Sequence, residues 1–155
     1  MLRWKSRAVL IFALLALPGC DPIYTLGVRT QLAPAPAPSC IEAALRAVPG
    51  RTVNRPTASE NGGFLIGVDG PIKPDGPWDA TLQVDRLRDS TQVLRLQYMW
   101  MGTARMRPLE EQRRMVADGT ALLTAVRTVC APASAEPIQC FARGMGGSPA
   151  CAPPA

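Results

Sequence analysis

Apolar residues recur at helical spacing in a short segment that begins at Ser39. They lie three or four positions apart, as on one face of an amphipathic helix, at Ile41, Ala44, Leu45 and Val48. Ser39 and Glu42 fit a capping box, which satisfies free N–H groups at the start of a helix. A Pro-Gly pair at residues 49–50 ends the pattern, so we predict a short helix between these two signals.

A second and longer helical pattern covers residues 108–130. Its apolar face is formed by Leu109, Met115, Val116, Leu122, Leu123, Val126, Val129 and Cys130. Glu110 and Glu111 fall in the first turn, where negative charge is favourable because the amino end of a helix is partly positive. Gly119 weakens a helix by about 1 kcal/mol relative to alanine, and its presence predicts a close contact with a neighbouring element.

Three other segments alternate between apolar and polar residues, as strands with one buried face do. They are residues 64–68, the residues around Leu82 and Val84, and residues 91–101, where one face is formed by Leu94, Leu96, Tyr98 and Trp100. Turn-forming residues 88–90 separate the second segment from the third, which predicts an antiparallel hairpin.

These elements follow the order helix, strand, hairpin, helix, and all of them lie within residues 39–130. We therefore expect an α+β domain in which a small antiparallel sheet of about three strands is packed by two helices. A domain of this size buries a limited core, so we also expect disulfide bonds to stabilise it.

The first 20 residues carry neither pattern. Arg3, Lys5 and Arg7 give a cationic start, an uncharged apolar run follows at residues 8–17, and Cys20 closes the segment. That run of 10 residues would span about 15 Å as a helix, half of a typical hydrocarbon core, so it is too short for a permanent transmembrane helix. The order of charge, apolar run and small residues is typical of a secretory signal peptide.

Residues 17–20, Leu-Pro-Gly-Cys, resemble the lipobox of bacterial lipoproteins, and this resemblance covers only the leader. It implies that residues 1–19 are removed and that Cys20 becomes the acylated first residue of a mature protein on the periplasmic side of a membrane. Asp21 resembles the residue that retains enterobacterial lipoproteins in the inner membrane, which favours that membrane over the outer one. The alternative is an ordinary cleaved signal that leaves Cys20 as a disulfide partner.

The segments that flank the predicted domain have distinct compositions. Residues 20–38 contain an Ala-Pro run that favours extended polyproline II structure, so we predict a semi-rigid tether, with residues 24–28 as a candidate edge strand. Residues 131–155 are rich in Pro, Gly and Ala and lack apolar periodicity, so we predict a tail that holds two cysteines.

Net charge gives little support to a nucleic-acid partner. The formal charge is +5, but loss of residues 1–19 removes 3 of the 17 basic residues and none of the 12 acidic ones, which leaves +2. Nucleic-acid binding needs basic residues clustered on one face, and nothing in the sequence requires such a cluster.

The cysteine count agrees with export. With Cys20 used for lipid, Cys40, Cys130, Cys140 and Cys151 remain, which is enough for two disulfides in an oxidising compartment. Four cysteines allow three pairings. We favour Cys40 with Cys130, because each lies on a predicted helix, and Cys140 with Cys151 within the tail. A Cys₄ zinc site is the alternative, but the chain lacks the C-x₂-C spacing of such sites.

Met99 and Met101 form a candidate ligand site, because strand alternation places both on the face opposite Trp100. Thioethers are soft ligands that select Cu(I), and the spacing loosely resembles that of periplasmic copper-handling proteins. Such sites commonly add a histidine, which this chain lacks. The alternative is that the methionines pack under a loop or helix on the second face of the sheet.

The loop at residues 69–79 is a second candidate. Asp69, Asp75 and Asp79 could bind calcium, and Trp78 could contact a ligand at an exposed tip, although the loop lacks the residue order of an EF-hand. Plain turns, with Trp78 packed against the sheet edge, are the alternative.

Four arginines surround the start of the longer helix. Arg105, Arg107, Arg113 and Arg114 could contact lipid headgroups at a membrane surface. A solvated face balanced by neighbouring glutamates is the alternative.

The residue types argue against catalysis. The chain contains no histidine, which excludes Ser-His-Asp and Cys-His mechanisms, and it shows neither a nucleophile elbow nor a phosphate loop. We therefore expect no catalytic residue, resident metal or cofactor. The expected function is that of a membrane-anchored periplasmic lipoprotein that acts as a structural or interaction module of the cell envelope, with an envelope protein as partner. The alternative is a lipoprotein that binds a small ligand, a lipid or Cu(I).

Overall fold

The computed structural model describes residues 23–60, 62–70, 79–87, 91–101, 107–144 and 149–151. Its strands are β1 (Ile23–Leu32), β2 (Thr52–Val53), β3 (Thr57–Ala58), β4 (Phe64–Asp69), β5 (Asp79–Arg86), β6 (Gln92–Met101) and β7 (Gln139–Arg143). Its helices are α1 (Pro38–Arg46) and α2 (Leu109–Cys130), and a 3₁₀ turn covers Pro149–Cys151.

The seven strands of the described residues form one antiparallel sheet. Their order is β2-β4-β5-β6-β1-β7, and β3 pairs with β4 as well. The prediction of about three strands is therefore wrong, although β4 and the β5–β6 hairpin were predicted at their observed places. Strands β2 and β3 have two residues each, which is too short for alternation to show in a sequence.

Strand β1 corrects the predicted tether. Residues 23–32 pair along their full length with β6, and part of the strand also pairs with β7, so they lie inside the sheet instead of linking it to an anchor. The candidate edge strand at residues 24–28 is accordingly part of an interior strand. Residues 20–22 lie outside the described part of the chain, and residues 33–37 lead into α1.

Strand β7 corrects the predicted tail. Residues 139–143 form an edge strand against β1, and the segment before them is bonded to the same strand. The Ser134 hydroxyl donates to the carbonyl of Gln31 at 3.0 Å, and the Thr30 hydroxyl donates to the carbonyl of Glu136 at 3.3 Å. Residues 131–143 are therefore part of the folded domain.

Helix α2 was predicted correctly and supplies much of the core. Its buried residues are Gln112, Met115, Gly119, Leu122, Leu123 and Val126. At Gly119 an added Cβ would lie 2.8 Å from Cγ2 of Val28 and 3.2 Å from Cδ2 of Leu96. The glycine therefore allows α2 to lie close against β1 and β6, as its position in the sequence predicted.

Helix α1 begins two residues earlier than its capping signal predicted, since Ala37 and not Ser39 is the N-cap. Pro38 occupies the first turn and Ala37 is the N-cap, without a side-chain capping bond, so the Ser39–Glu42 capping box does not form. Proline favours this start because its fixed φ suits the first helical position and it has no N–H to satisfy. Glu42 instead pairs with Arg46 at 2.6 Å.

Two disulfides close the structure, and both predicted pairings are confirmed. Cys40 and Cys130 join the start of α1 to the end of α2, with Cα atoms 5.9 Å apart. Cys140 and Cys151 join β7 to the 3₁₀ turn, with Cα atoms 5.3 Å apart. The first bond closes a sequence separation of 90 residues and stabilises the fold by about 4.6 kcal/mol on the chain-entropy model.

Candidate functional site

The sheet has one face covered by the helices and one that no helix of the described residues covers. We call the second the outer face. Along the neighbouring strands β5, β6, β1 and β7, its residues alternate with those of the covered face. They are Thr81, Gln83 and Asp85 on β5, Val93, Arg95, Gln97 and Met99 on β6, Thr25, Gly27, Arg29 and Gln31 on β1, and Gln139, Phe141 and Arg143 on β7. Most of these side chains are polar, so this face is a candidate binding surface.

Arg29 and Arg95 lie directly opposite each other on β1 and β6. Gln139 flanks the pair on β7 and Gln83 flanks it on β5, so one row crosses four strands. Like charges at opposed positions of neighbouring strands repel each other. The pair is therefore unfavourable for folding unless a negative group offsets it.

Only part of that positive charge is offset within the described residues. Arg95 donates to Asp85, which also accepts a 2.9 Å bond from the Gln83 amide. Arg29 instead donates from Nε and Nη2 to Oε1 of Gln139, at 3.3 and 3.2 Å, and this partner is neutral. Among the described residues, the two cations are therefore paired with one carboxylate, that of Asp85, and Arg29 forms no salt bridge.

Two small depressions adjoin this arginine pair. The larger, of about 220 Å³, is lined by Arg29, Thr30, Gln31, Val93, Arg95, Glu136, Pro137 and Gln139. The smaller, of about 110 Å³, is lined by Arg29, Arg95, Phe141, Ala142 and Arg143. Both depressions share the two arginines, and the second adds an aromatic wall and a third cation. An anionic group laid across β1 and β6 would meet these cations together.

A buried charged cluster on the opposite face was not predicted from the sequence. The Tyr98 hydroxyl donates to Oδ2 of Asp118 at 2.5 Å, and Arg51 pairs with the other oxygen of the same carboxylate. Burial raises the pKa of Tyr98 well above its usual range, and the hydrogen bond to Asp118 raises it further. The tyrosine therefore stays protonated and acts as a donor that joins β6 to α2.

An aromatic cluster lies near the end of β6. The rings of Tyr24 and Trp100 stack with centroids 6.0 Å apart, and the Arg107 guanidinium lies 5.7 Å from the centroid of the Trp100 ring. Nε1 of Trp100 is buried and finds no hydrogen-bond partner in the described part of the chain. Trp100 shares the inner face with Tyr98, as its alternation predicted.

The structure describes the side chain of one of the two predicted methionines. Met99 lies on the outer face, is 54% exposed, and is therefore not packed under another element. Met101 ends β6 opposite Ile23, and its side chain lies outside the described part. The pairing of the two thioethers stays a prediction.

The predicted loop site falls mostly outside the described residues. Asp75 and Trp78 belong to residues 71–78, which are not among them. Asp69 and Asp79 are opposed across β4 and β5, so the two ends of the loop lie side by side. Whether its carboxylates bind calcium, or Trp78 a ligand, stays a prediction.

The predicted arginine cluster is largely paired. Arg107 pairs with Glu111, and Arg114 pairs with Glu110 at 3.4 Å. Arg113 is exposed, and Arg105 lies outside the described residues. The glutamates that favour the start of α2 therefore also balance two of these four cations.

The described residues contain neither a candidate metal site nor a helix that could span a membrane. Within them, no group of three His, Cys, Asp or Glu side chains could hold a metal ion. No described helix has the length and apolar character needed to cross a membrane. Cys20 and the leader lie outside the described range.

Comparison with known proteins gives no relative, since no protein-family model, no curated protein and no solved structure matches the chain.

Proposed function

We propose that the protein is a lipid-anchored interaction module of the bacterial cell envelope, which binds an acidic partner protein on the outer face of its sheet. The opposition of Arg29 and Arg95 is the observation that carries this proposal. Two cations held side by side on an open face are costly when the protein is alone, and an anionic partner removes that cost.

The proposed location rests on the leader and the cysteines. The lipobox-like residues 17–20 follow a cationic and apolar start, and Cys20 is the residue that would carry the lipid. The bonds Cys40–Cys130 and Cys140–Cys151 are compatible with an oxidising periplasm. Asp21, directly after Cys20, is the basis for favouring the inner membrane over the outer one.

The proposed mode is binding and not turnover. The chain has no histidine to serve as a general base, and the buried Tyr98 is held protonated beside Asp118. The polar groups of the outer face, by contrast, are accessible and fixed by the pleat of four strands. Such a surface orients a partner through charge and hydrogen bonds, and its charge complementarity contributes to specificity and association rate more than to affinity.

Site-specific photo-crosslinking in intact cells tests this function. A crosslinker at Gln97 lies on the outer face between β5 and β1, and a matched crosslinker at Ala121 lies on the exposed side of α2. We expect a defined crosslinked product only from Gln97. Reversing the charge of the pair with Arg29→Glu and Arg95→Glu should abolish it, whereas Arg113→Glu on α2 should leave it.

Two results would count against the proposal. Equal products from Gln97 and Ala121 would indicate nonspecific encounters. A product from Gln97 that persists after reversal of both arginines would show that charge on this face does not recruit the partner.

A further inference from the structure

We propose that a cleft at the hairpin end of the sheet binds a ligand in which a carboxylate lies next to an N–H donor and an apolar group. The cleft has a volume of about 400 Å³, within the range of about 300 to 1,000 Å³ typical of small-molecule sites. It lies between the segment before α1 and the ends of β4, β5 and β6. The lining residues that bear on the argument are Ala37, Pro38, Phe64, Val84, Arg86 and Gln92.

Strand register builds one wall of this cleft. Arg86 and Gln92 lie directly opposite each other at the end of the β5–β6 hairpin. Phe64 and Val84 are opposed in the same way on β4 and β5, and both are buried. All four side chains share the face that the helices cover. The cleft is therefore apolar at Phe64 and Val84 and polar at Arg86 and Gln92.

Gln92 supplies an acceptor without a partner. It is only 5% exposed, and its Oε1 is buried and receives no hydrogen bond from any residue that the structure describes. Leaving a buried acceptor unsatisfied is costly for a folded protein, so such groups are rare unless something else bonds to them. An N–H donor of a ligand in the cleft would satisfy this oxygen.

Arg86 supplies a free positive charge. It is exposed, and it takes part in no salt bridge within the described residues. The cleft is also lined by Ala37 and Pro38, which start α1 without a side-chain cap, so the partly positive end of that helix adds to the same potential. None of the described lining residues carries a carboxylate, so an anion is favoured there.

The spacing of these groups defines the ligand. Cβ atoms of opposed residues on antiparallel strands lie about 4.5 to 5.5 Å apart, so one ligand can reach Arg86 and Gln92 with adjacent groups. An acylated α-amino acid has this arrangement, since one carbon carries its N–H, its carboxylate and its side chain. The apolar side chain would contact Phe64 and Val84. The same arrangement occurs in a free N-acyl amino acid and at the carboxyl end of a peptide.

Titration of the full chain in detergent tests the site. The probes are N-acetyl-L-leucine, its uncharged amide, and the peptide acetyl-Ala-Ala-Leu with a free or amidated end. We expect saturable binding of at least one free acid, with the matching amide about tenfold weaker because a charge-assisted bond is lost. Tighter binding of the peptide indicates a chain end as the natural ligand, and tighter binding of the amino acid indicates a free metabolite.

Variants assign the binding to the cleft. Arg86→Gln should weaken binding of the free acid about tenfold and leave binding of the amide unchanged. Gln92→Leu should weaken binding of both about fivefold. Arg113→Gln, which changes an exposed arginine outside the cleft lining, is the matched control. A melting temperature no lower than that of the unchanged protein shows that each variant is folded. Absence of saturable binding by both free acids, or equal affinity for the free acid after Arg86→Gln, would overturn the proposal.

Discussion

The hydroxyl of Tyr98 lies 2.5 Å from Oδ2 of Asp118 and donates a hydrogen bond to it, while Arg51 pairs with the other oxygen of that carboxylate. These three residues join β6, α2 and the segment after α1. The Arg51 side chain is only 6% exposed, so its charge depends on Asp118 for compensation. Two predictions follow from this cluster.

Removal of the carboxylate should be strongly destabilising. Asp118→Ala leaves Arg51 buried without a counter-charge, and we expect the free energy of unfolding to fall by about 3 kcal/mol. Urea denaturation measures this loss. The double variant Arg51→Met with Asp118→Ala should lose less than Asp118→Ala alone, because the uncompensated charge is then gone. A double variant as unstable as the sum of its single changes would contradict this account.

The same cluster predicts instability in alkali. The folded state raises the pKa of Tyr98 above its ordinary value near 10, so the folded chain keeps a proton that the unfolded chain loses. The resulting stability is fully present below pH 10 and is lost as pH rises further. We expect the free energy of unfolding to fall by about 1.4 kcal/mol per pH unit from this group. Tyr98→Phe should flatten the slope above pH 10, and an unchanged slope would exclude Tyr98 as its origin.

Gly119→Ala should destabilise the protein although alanine is the better helix former. The gain in helix propensity is about 1 kcal/mol, but the added methyl would lie 2.8 Å from Cγ2 of Val28. Overpacking of this kind costs about 1 to 3 kcal/mol, so we expect a net loss near 1 kcal/mol in thermal or urea unfolding. Adding Val28→Ala should make the Gly119→Ala change more favourable, since it removes the contacted methyl. If Gly119→Ala alone raised the free energy of unfolding, α2 would have moved away from Val28 to accommodate the added methyl group.

Gln92→Leu should make the ligand-free protein more stable. Leucine has a similar volume and removes the buried Oε1, which has no partner among the described residues, so we expect the free energy of unfolding to rise by about 1 kcal/mol. Gln97→Leu, which changes a half-buried residue on the outer face, is the control and should have little effect on the free energy of unfolding. A loss of stability in Gln92→Leu would mean that the oxygen is satisfied in the folded protein.

Cys20→Ser tests the proposed anchor. The variant should lose lipid attachment and either leave the membrane fraction or accumulate with its leader uncut. Fractionation of cells and intact-mass measurement distinguish these outcomes, and Cys140→Ser serves as a cysteine control that should stay membrane-bound. A cleaved Cys20→Ser protein that still sediments with membranes would exclude lipidation as the means of attachment.

Periodicity predicted the elements that are long and bury one clean face. Helix α2 and the β5–β6 hairpin are of this kind, and the placement of Cys40 and Cys130 on two helices was enough to predict their bond. Strand β1 was predicted only in part, as a candidate edge strand at residues 24–28, because the Ala-Pro run that follows it favours an extended tether. Strand β7 was missed because it is a short edge strand with no fully buried side chain.

The candidate sites could not be predicted for a different reason. The opposition of Arg29 and Arg95 depends on which strands pair and in which register, and neither strand alone contains that information. Arg51 and Asp118 are 67 positions apart and meet only through the packing of α2 on the sheet. The Ser39–Glu42 signal failed because Pro38 starts the helix earlier.

Strand β1 has a consequence for the reach of the protein. It begins at Ile23, only three positions after Cys20, and three residues of extended chain span at most about 11 Å. A domain anchored at Cys20 would therefore lie directly on the bilayer surface, without a long tether that lets it move away from the membrane. Its partner would have to be another membrane-bound protein, or one that comes to the bilayer, and Tyr24 and Trp100 would lie at the end of the sheet nearest the lipid headgroups.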